Sequence, residues 1–461
     1  MNAAPPSAVA SAPKLARKLG IYDATLIVMG GVIGAGIFRA PSVVAARTHG
    51  ATAILVAWLF GGLVALVGAF IFAELAWRRP SSGGLYGYLR DAYHPVVAFM
   101  YGWTALLISQ SGGMAAAAIT FGAYVAPARS NPGTAALWGV ASIVILTIIN
   151  CLGVREGGTA QNLLMILKGA VIVALIAAGT FVAPATTATA VSGGAFTPPP
   201  SLLLAFGAAM IPVLYAYDGF QTAAFVDGEL KDPKRTLPFG LVWGIVAVVA
   251  LYVGVTIVGL RVLGPHGLAA TSTPASDIMR LAFGVTGARI IALGIALSTL
   301  GFLSNQILTS PRIYYAMAQD RIFFKQLAWV HPRSRVPLVA IVVQSVVAVA
   351  IALSGRYDQI LNYVTSIDFV FLGLAAGAVI IFRRRARVAS PWNFQARVPT
   401  ASGIRIPGHP WTTIFFIVVS VAVVINTYIA FPNDSLVGLA ILLLGAPVYL
   451  IWRKGSMRRA R

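Results

Sequence analysis

Four glycines, Gly30, Gly31, Gly34 and Gly36, fall within seven residues of an otherwise apolar run. A second irregular stretch places Pro212, Asp218 and Gly219 within eight residues, around Tyr215-Ala216-Tyr217. Glycine lowers helix stability by roughly 0.8–1 kcal/mol relative to alanine, so such clusters make a helix easy to unwind. An unwound segment frees amide N–H groups and carbonyls that a helix keeps for itself. A half-helix starting near Ile37 presents its N–H groups and positive dipole end to an anion. Carbonyls at Tyr215 to Asp218, ending the preceding half-helix, can accept from an ammonium. One site offering both suits a zwitterion. Gly34 and Gly36 also let a ligand approach the backbone with no Cβ in the way.

Several ionisable residues compete for roles. Lys168 is the one cation inside an apolar span, about ten residues in, where snorkelling to the interface is awkward. Asp218 at such depth is functional by default, either as a counter-ion for a cationic cargo or as a cap on the broken helix. Both readings stay open. Glu74 and Glu229 sit at helix ends near Arg78, Lys234 and Arg235, where gate salt bridges are expected. Asp368 is a further candidate, with no partner nameable from sequence. Trp58, Trp103, Trp243 and Tyr252 read as packing or interfacial aromatics. The five histidines lie near helix ends or in loops without metal-ligand spacing, and the single cysteine, Cys151, excludes an intrachain disulfide. No cofactor or metal site is expected. A membrane enzyme would need a nucleophile–base pair or metal cluster, and these residues supply neither.

The elements that must hold these groups are apolar helices. Of 461 residues 58% are apolar and only 10% are charged, against about a quarter charged in a soluble domain. The apolar residues form runs of membrane-spanning length, divided by short charged segments. Twelve spans are predicted: 21–46, 52–77, 96–126, 134–154, 159–182, 201–226, 237–263, 288–316, 336–354, 360–382, 411–430 and 436–452. Residues 1–19 read as a disordered tail. Close packing through small residues accounts for Gly68 or Gly102. It accounts poorly for the two irregular clusters, because these lie in spans one and six, matching places in two halves. Interrupted helices at matching places point to an inverted-repeat transporter and its binding site.

Charge placement sets the orientation. Twenty-six of the 34 Lys and Arg residues fall on the side of the N-terminus, so the positive-inside rule predicts both termini in the cytoplasm. The net charge of +21 lacks the aromatic interleaving of a base-stacking surface, and no nucleic-acid partner is expected. The basic run 383–387 reads as a topology determinant.

These residues resemble the amino acid–polyamine–organocation transporters, especially bacterial relatives of the L-type amino acid transporters. The resemblance runs from about Lys18 to Trp452. It rests on Gly30 to Phe38, on Phe72-Ala73-Glu74-Leu75 with Ser82 to Arg90, on Gly228 to Pro238, and on Ser310-Pro311-Arg312-Ile313-Tyr314-Tyr315-Ala316-Met317. It implies an all-α membrane protein with a five-plus-five inverted repeat of the leucine-transporter type and discontinuous helices one and six. The repeats would cover 20–182 and 201–382, joined by an extracellular loop at 183–200. A basic loop at 383–409, two further spans within 410–452 and a cytoplasmic tail at 453–461 would follow.

The resemblance also implies that a substrate carboxylate lies at Val32, Ile33, Gly34, Ala35 and Gly36, with its amino group at the carbonyls of Tyr215, Ala216 and Asp218. Tyr215 would be an aromatic gate. Phe220 and Gln221 stand where relatives often carry Trp and Asn. Lys168 stands where sodium-coupled relatives bind an ion, so its ammonium is expected to replace sodium by bridging spans one, five and eight, or to couple protons. The implied function is sodium-independent transport of neutral L-amino acids by alternating access, as an exchanger or a proton-coupled carrier of the plasma membrane. The alternative is a cationic amino acid or polyamine carrier. No covalent partner subunit is expected, and a sensor that keeps the fold without flux is a further class.

Overall fold

The computed structural model describes residues 19–34, 36–48, 50–79, 83–126, 132–185, 202–271, 273–354, 357–388 and 405–459. Among them the chain is helical, apart from loops and one isolated bridge between Leu19 and Leu230. In chain order the helices are α1 (Ile21–Val32), α2 (Gly36–Arg47), α3 (Ala51–Arg78), α4 (Leu85–Ala92), α5 (Pro95–Thr104) and α6 (Gln110–Val125). Next come α7 (Pro132–Leu152), α8 (Val154–Phe181), α9 (Leu202–Tyr217), α10 (Pro233–Ala270) and α11 (Pro274–Thr309). The last are α12 (Pro311–Gln319), α13 (Leu338–Ser354), α14 (Tyr357–Val388), α15 (Trp411–Ala430) and α16 (Pro432–Arg459).

Each predicted span coincides with a helix or a pair of helices. By length and composition, however, nine of the described helical stretches are long and apolar enough to cross a bilayer. They become ten if α1 and α2, bent by 43° at their break, count as one span. The shortfall from twelve has a local cause. The helix α9 stops after 16 residues, where the sixth run breaks, and α13 has only 17.

Burial separates central from peripheral helices. The most apolar window of the stretch 95–125 is 78% buried, and those of α14 and α3 are 67% and 61%. In α7, α15 and α16 the figure is 28%, with Leu and Ile side chains such as Ile148, Ile429 and Leu444 pointing outward. Outward leucine and isoleucine suit a hydrocarbon solvent, where the driving force for folding lies in packing and hydrogen bonding.

Leu19 departs from expectation. Placed in the tail by sequence, it is buried, and its N–H donates to the Glu229 carbonyl while its own carbonyl accepts from Lys231 N–H, at 3.1 and 3.0 Å. An apolar side chain in a backbone pairing is held, so Leu19 belongs to the fold and not to a tail. The tail before it, the loop 186–201 and the segment 389–404 lie outside the described residues.

Candidate functional site

The first break begins where α1 ends. Ile33 N–H donates to the Met29 carbonyl at 2.8 Å, and Ile33 itself is extended, with φ −73° and ψ 99°. The helix resumes at Gly36. Carbonyls released by the break are caught by side chains from elsewhere. Lys168 Nζ on α8 donates to the Gly30 carbonyl at 3.2 Å and to the Ile33 carbonyl. Tyr252 on α10 donates its hydroxyl to the Val32 carbonyl at 3.1 Å. Lys168 is fully buried. Its stem lies against α11, where a Cβ at Gly301 would stand 3.1 Å from the lysine Cε. The Lys168 ammonium thus joins α8 to the first break, while its stem passes beside α11.

The second break follows α9. Asp218 N–H donates to the Tyr215 carbonyl at 3.2 Å, and Gly219 takes φ 101°, a conformation open to glycine at little cost. The Asp218 carboxylate Oδ1 accepts from Gly219 N–H at 2.8 Å and from Gln221 Nε2 at 3.2 Å. The chain then continues as a 3-10 helix over Phe220–Glu229. The two breaks touch. A Cβ on Gly31 would lie 2.6 Å from the Gly219 carbonyl oxygen, so both positions require glycine for approach. Beside the contact, the Asn305 amide lies 3.2 Å from Gln161 Nε2 and 3.4 Å from Thr222 Oγ1, and its oxygen, turned to the first break, accepts from Gly31 N–H at 3.2 Å, so that α8 and α11 pack against both breaks.

Between the breaks lies a cavity with about 640 Å³ of empty space, counting the part open to solvent. Gly31, Val32, Gly34 and Gly36 line it from the first break, and Tyr215, Ala216, Asp218 and Gln221 from the second. The remaining predicted residues go elsewhere. Ile33 turns its carbonyl to Lys168. Phe220 packs edge-on against Phe72, at 5.7 Å between ring centroids, and is not brought to this cavity. Ala35 lies outside the described residues.

Three further helical segments complete the walls. A π-helical turn, Ala105–Ser109, joins α5 to α6 and puts Ser109 and Gln110 on the cavity. Such turns interrupt the ladder of a helix and recur at functional sites. Gln110 Oε1 accepts from Ser310 Oγ at 2.7 Å. From α11 come Phe302, whose ring faces Gly34, and Gln306. From α14 comes Asp368, which lines the same cavity as Ser109 and Asp218. The residue that sequence left without a partner thus faces the same cavity as Asp218. The polar triplets 109–111 and 304–306, each set in apolar surroundings, were a readable signal for this wall.

The expected gate carboxylates find partners too. Glu74 is buried and accepts from Arg78 as expected, and also from Arg383 and from the Ile406 N–H. Glu229 pairs with Arg312 at 2.7 Å, both fully buried, rather than with Lys234 or Arg235. The correction reflects reach: Lys234 and Arg235 follow a turn and point to the surface, whereas Arg312 enters the core on α12. Among the described residues no group of three His, Cys, Asp or Glu side chains could hold a metal ion.

The sequence profile described as "Amino acid permease" matches residues 19–450. The chain belongs to the amino acid permease family. The serine/threonine exchanger SteT of Bacillus subtilis is 30% identical over 448 residues, covering 95% of this chain and 98% of that protein. The human b(0,+)-type amino acid transporter 1 is 29% identical over 378 residues, 80% of this permease and 76% of its relative. The mouse large neutral amino acids transporter small subunit 2 is 27% identical over 455 residues, 95% and 81% of the two chains. The permease family match spans both helix breaks, all five walls of the cavity and Lys168.

Proposed function

We propose that this permease is a sodium-independent transporter of neutral L-amino acids that works by alternating access, as an exchanger. The observation that carries the reading is the meeting of two interrupted helices across one cavity. One break offers the N–H end of α2 and the other the carbonyl end of α9, the two halves of a zwitterion receptor. The substrate carboxylate then lies along Val32 to Gly36, and its ammonium at the carbonyls of Tyr215, Ala216 and Asp218. Tyr215 covers the bound molecule.

Twelve spans arranged as a five-plus-five inverted repeat, with α15 and α16 outside it, accommodate this site. Both termini then face the cytoplasm from the inner membrane. Lys168 takes the place of a coupling sodium: its ammonium ties the first break to α8 and α11 as a bound cation would. The relatives' names, a serine/threonine exchanger and a large neutral amino acids transporter subunit, favour small or neutral side chains.

A second reading, transport of cationic amino acids or polyamines, is favoured by one observation, the Asp218 carboxylate on the cavity wall. Uptake of labelled alanine, serine, leucine and arginine into sodium-free proteoliposomes separates the two. Neutral uptake that requires internal amino acid supports exchange, and uptake driven by an inward proton gradient alone replaces exchange with symport. Absence of flux for all four removes the proposal.

A further inference from the structure

A buried side-chain oxygen without a hydrogen-bond partner carries a desolvation cost that the rest of the fold must offset. Two residues on the cavity wall have one. Gln221 and Gln306 each hold a buried Oε1 with no partner among the described residues. The third glutamine on the wall, Gln110, has its Oε1 engaged by Ser310 Oγ at 2.7 Å. Gln221 belongs to the second break, and its Nε2 donates to Asp218 at 3.2 Å. That bond fixes its amide where the cargo's ammonium is placed by the reading above.

Gln306 stands elsewhere. It is 5% exposed and lies on α11, about one turn beyond Phe302. Its amide is directed at α6, because a Cβ on Gly113 would stand 3.4 Å from Gln306 Nε2 and 3.6 Å from the Phe302 ring. Gly113 itself lines the cavity. With the charged ends of an amino acid held at the two breaks, the wall made by α6, α11 and α14 is left for the side chain. Ala116, Ala117 and Val364 make part of that wall apolar, and Gln306 sets a polar group among them. The terminal torsion of a glutamine is broad, so its amide can turn either the oxygen or the nitrogen to a neighbour. A hydroxyl complements both, with one O–H donor and two acceptor lone pairs on a rotor. An aliphatic side chain would exclude water from the wall and leave the amide oxygen unpaired.

We propose that Gln306 is a specificity-determining residue whose amide hydrogen-bonds a hydroxyl on the cargo's side chain, so that the permease takes hydroxyl amino acids ahead of aliphatic ones of the same shape. The inference deepens the amino acid transport reading and rests on it. Shape alone cannot separate a hydroxyl from a methyl group, whereas a buried polar group left unpaired by the wrong cargo can. A glutamine that only filled the space between α6 and α11 would treat the two alike.

Threonine and valine differ by that one exchange of hydroxyl for methyl. Titration calorimetry of the purified protein with each therefore separates the hydrogen bond from the fit. The wild type is expected to bind L-threonine about tenfold or more tighter than L-valine, the order for one buried acceptor left unmade. In Gln306→Leu and in Gln306→Met the preference is expected to vanish. The ratio is the readout, because a merely structural loss weakens both ligands together. Valine binding as tightly as threonine in the wild type overturns the inference. So does a threonine preference that persists in a folded variant, which would assign the hydroxyl to another wall residue such as Ser109 or Asp368. In both cases the amino acid transport reading survives. Binding of neither amino acid to the wild type removes that reading and the inference together. Two variants are used so that, if one fails to fold, the other decides.

Discussion

The guanidinium of Arg383 meets the carboxylate of Glu74 at two atoms, Nε to Oε1 at 2.7 Å and Nη2 to Oε2 at 2.5 Å. The contact joins the ends of α3 and α14, and Arg78 Nε and the Ile406 N–H fill the remaining acceptor positions of the same carboxylate, at 2.6 and 2.9 Å. Four donor groups thus depend on one buried anion.

Removing that anion strands the donors. Glu74→Ala is expected to destabilise by about 3–5 kcal/mol, the range for breaking one side of a buried pair. Arg383→Ala should cost less, because Arg78 and Ile406 still serve Glu74. Thermal unfolding of the two variants in detergent checks the order, and an equal or larger loss in Arg383→Ala contradicts it.

A contrasting pair joins α4 to the residue that follows α12. Asp320 accepts from Tyr86 at 2.6 Å and from Arg90 at 2.5 Å, with the side chains of Arg90 and Asp320 still 35% and 30% exposed. Water screens such a pair, so Asp320→Asn should change stability by only about 0–1 kcal/mol. The partners show the direction of the electrostatics: burial first, then the adjacent Asp320 carboxylate, push the Tyr86 hydroxyl up from its ordinary value. Unfolding of Asp320→Asn compared with Glu74→Ala measures the contrast.

At Gly219 the backbone itself makes the prediction. With φ 101°, an alanine there pays at least about 1–2 kcal/mol for the left-handed conformation, and its Cβ would strike the Gly31 carbonyl. Gly219→Ala should therefore lower the melting temperature and weaken alanine binding together, as read by unfolding and calorimetry on the same sample. Normal binding would show that the contact between the breaks is dispensable to the site.

The glycine clusters and the stretch 215–218 were legible in sequence because helix breakers in an apolar run are anomalies in composition, visible without any neighbour. Phe302 was not, since a single aromatic residue in a long helix acquires meaning only from the helix packed opposite, and Gln110 and Gln306 were marked only by the polar triplets 109–111 and 304–306. The π-helical turn 105–109 has an ordinary apolar sequence, Ala-Leu-Leu-Ile-Ser, and leaves no local mark. Phe220 shows the converse. The family resemblance drew it into the expected site, yet its ring packs edge-on against Phe72. Asp368 was noticed for its charge alone, and Asp218, which lines the same cavity, lies 150 residues earlier in the chain.

Lys168→Met keeps most of the stem and removes the donors. The Gly30 and Ile33 carbonyls then lose their partner, at about 1–3 kcal/mol for each buried acceptor left unmade. Uptake per folded molecule in proteoliposomes should fall by about tenfold or more if that loss bears on the transport step. Unchanged uptake would mean that the ammonium has no part in the cycle.

The cation at the first break is covalently attached to α8. A sodium ion in that place could enter from one compartment and leave to the other, adding its own gradient to the work done on the cargo. A tethered ammonium returns with the carrier on every cycle and dissipates nothing. If the permease is the proposed exchanger, the accumulation ratio it can sustain is set by the solute it carries back, so the amino acid pool inside the cell acts as its power supply, and a cell starved of exchangeable amino acids would lose uptake without any change in its sodium gradient.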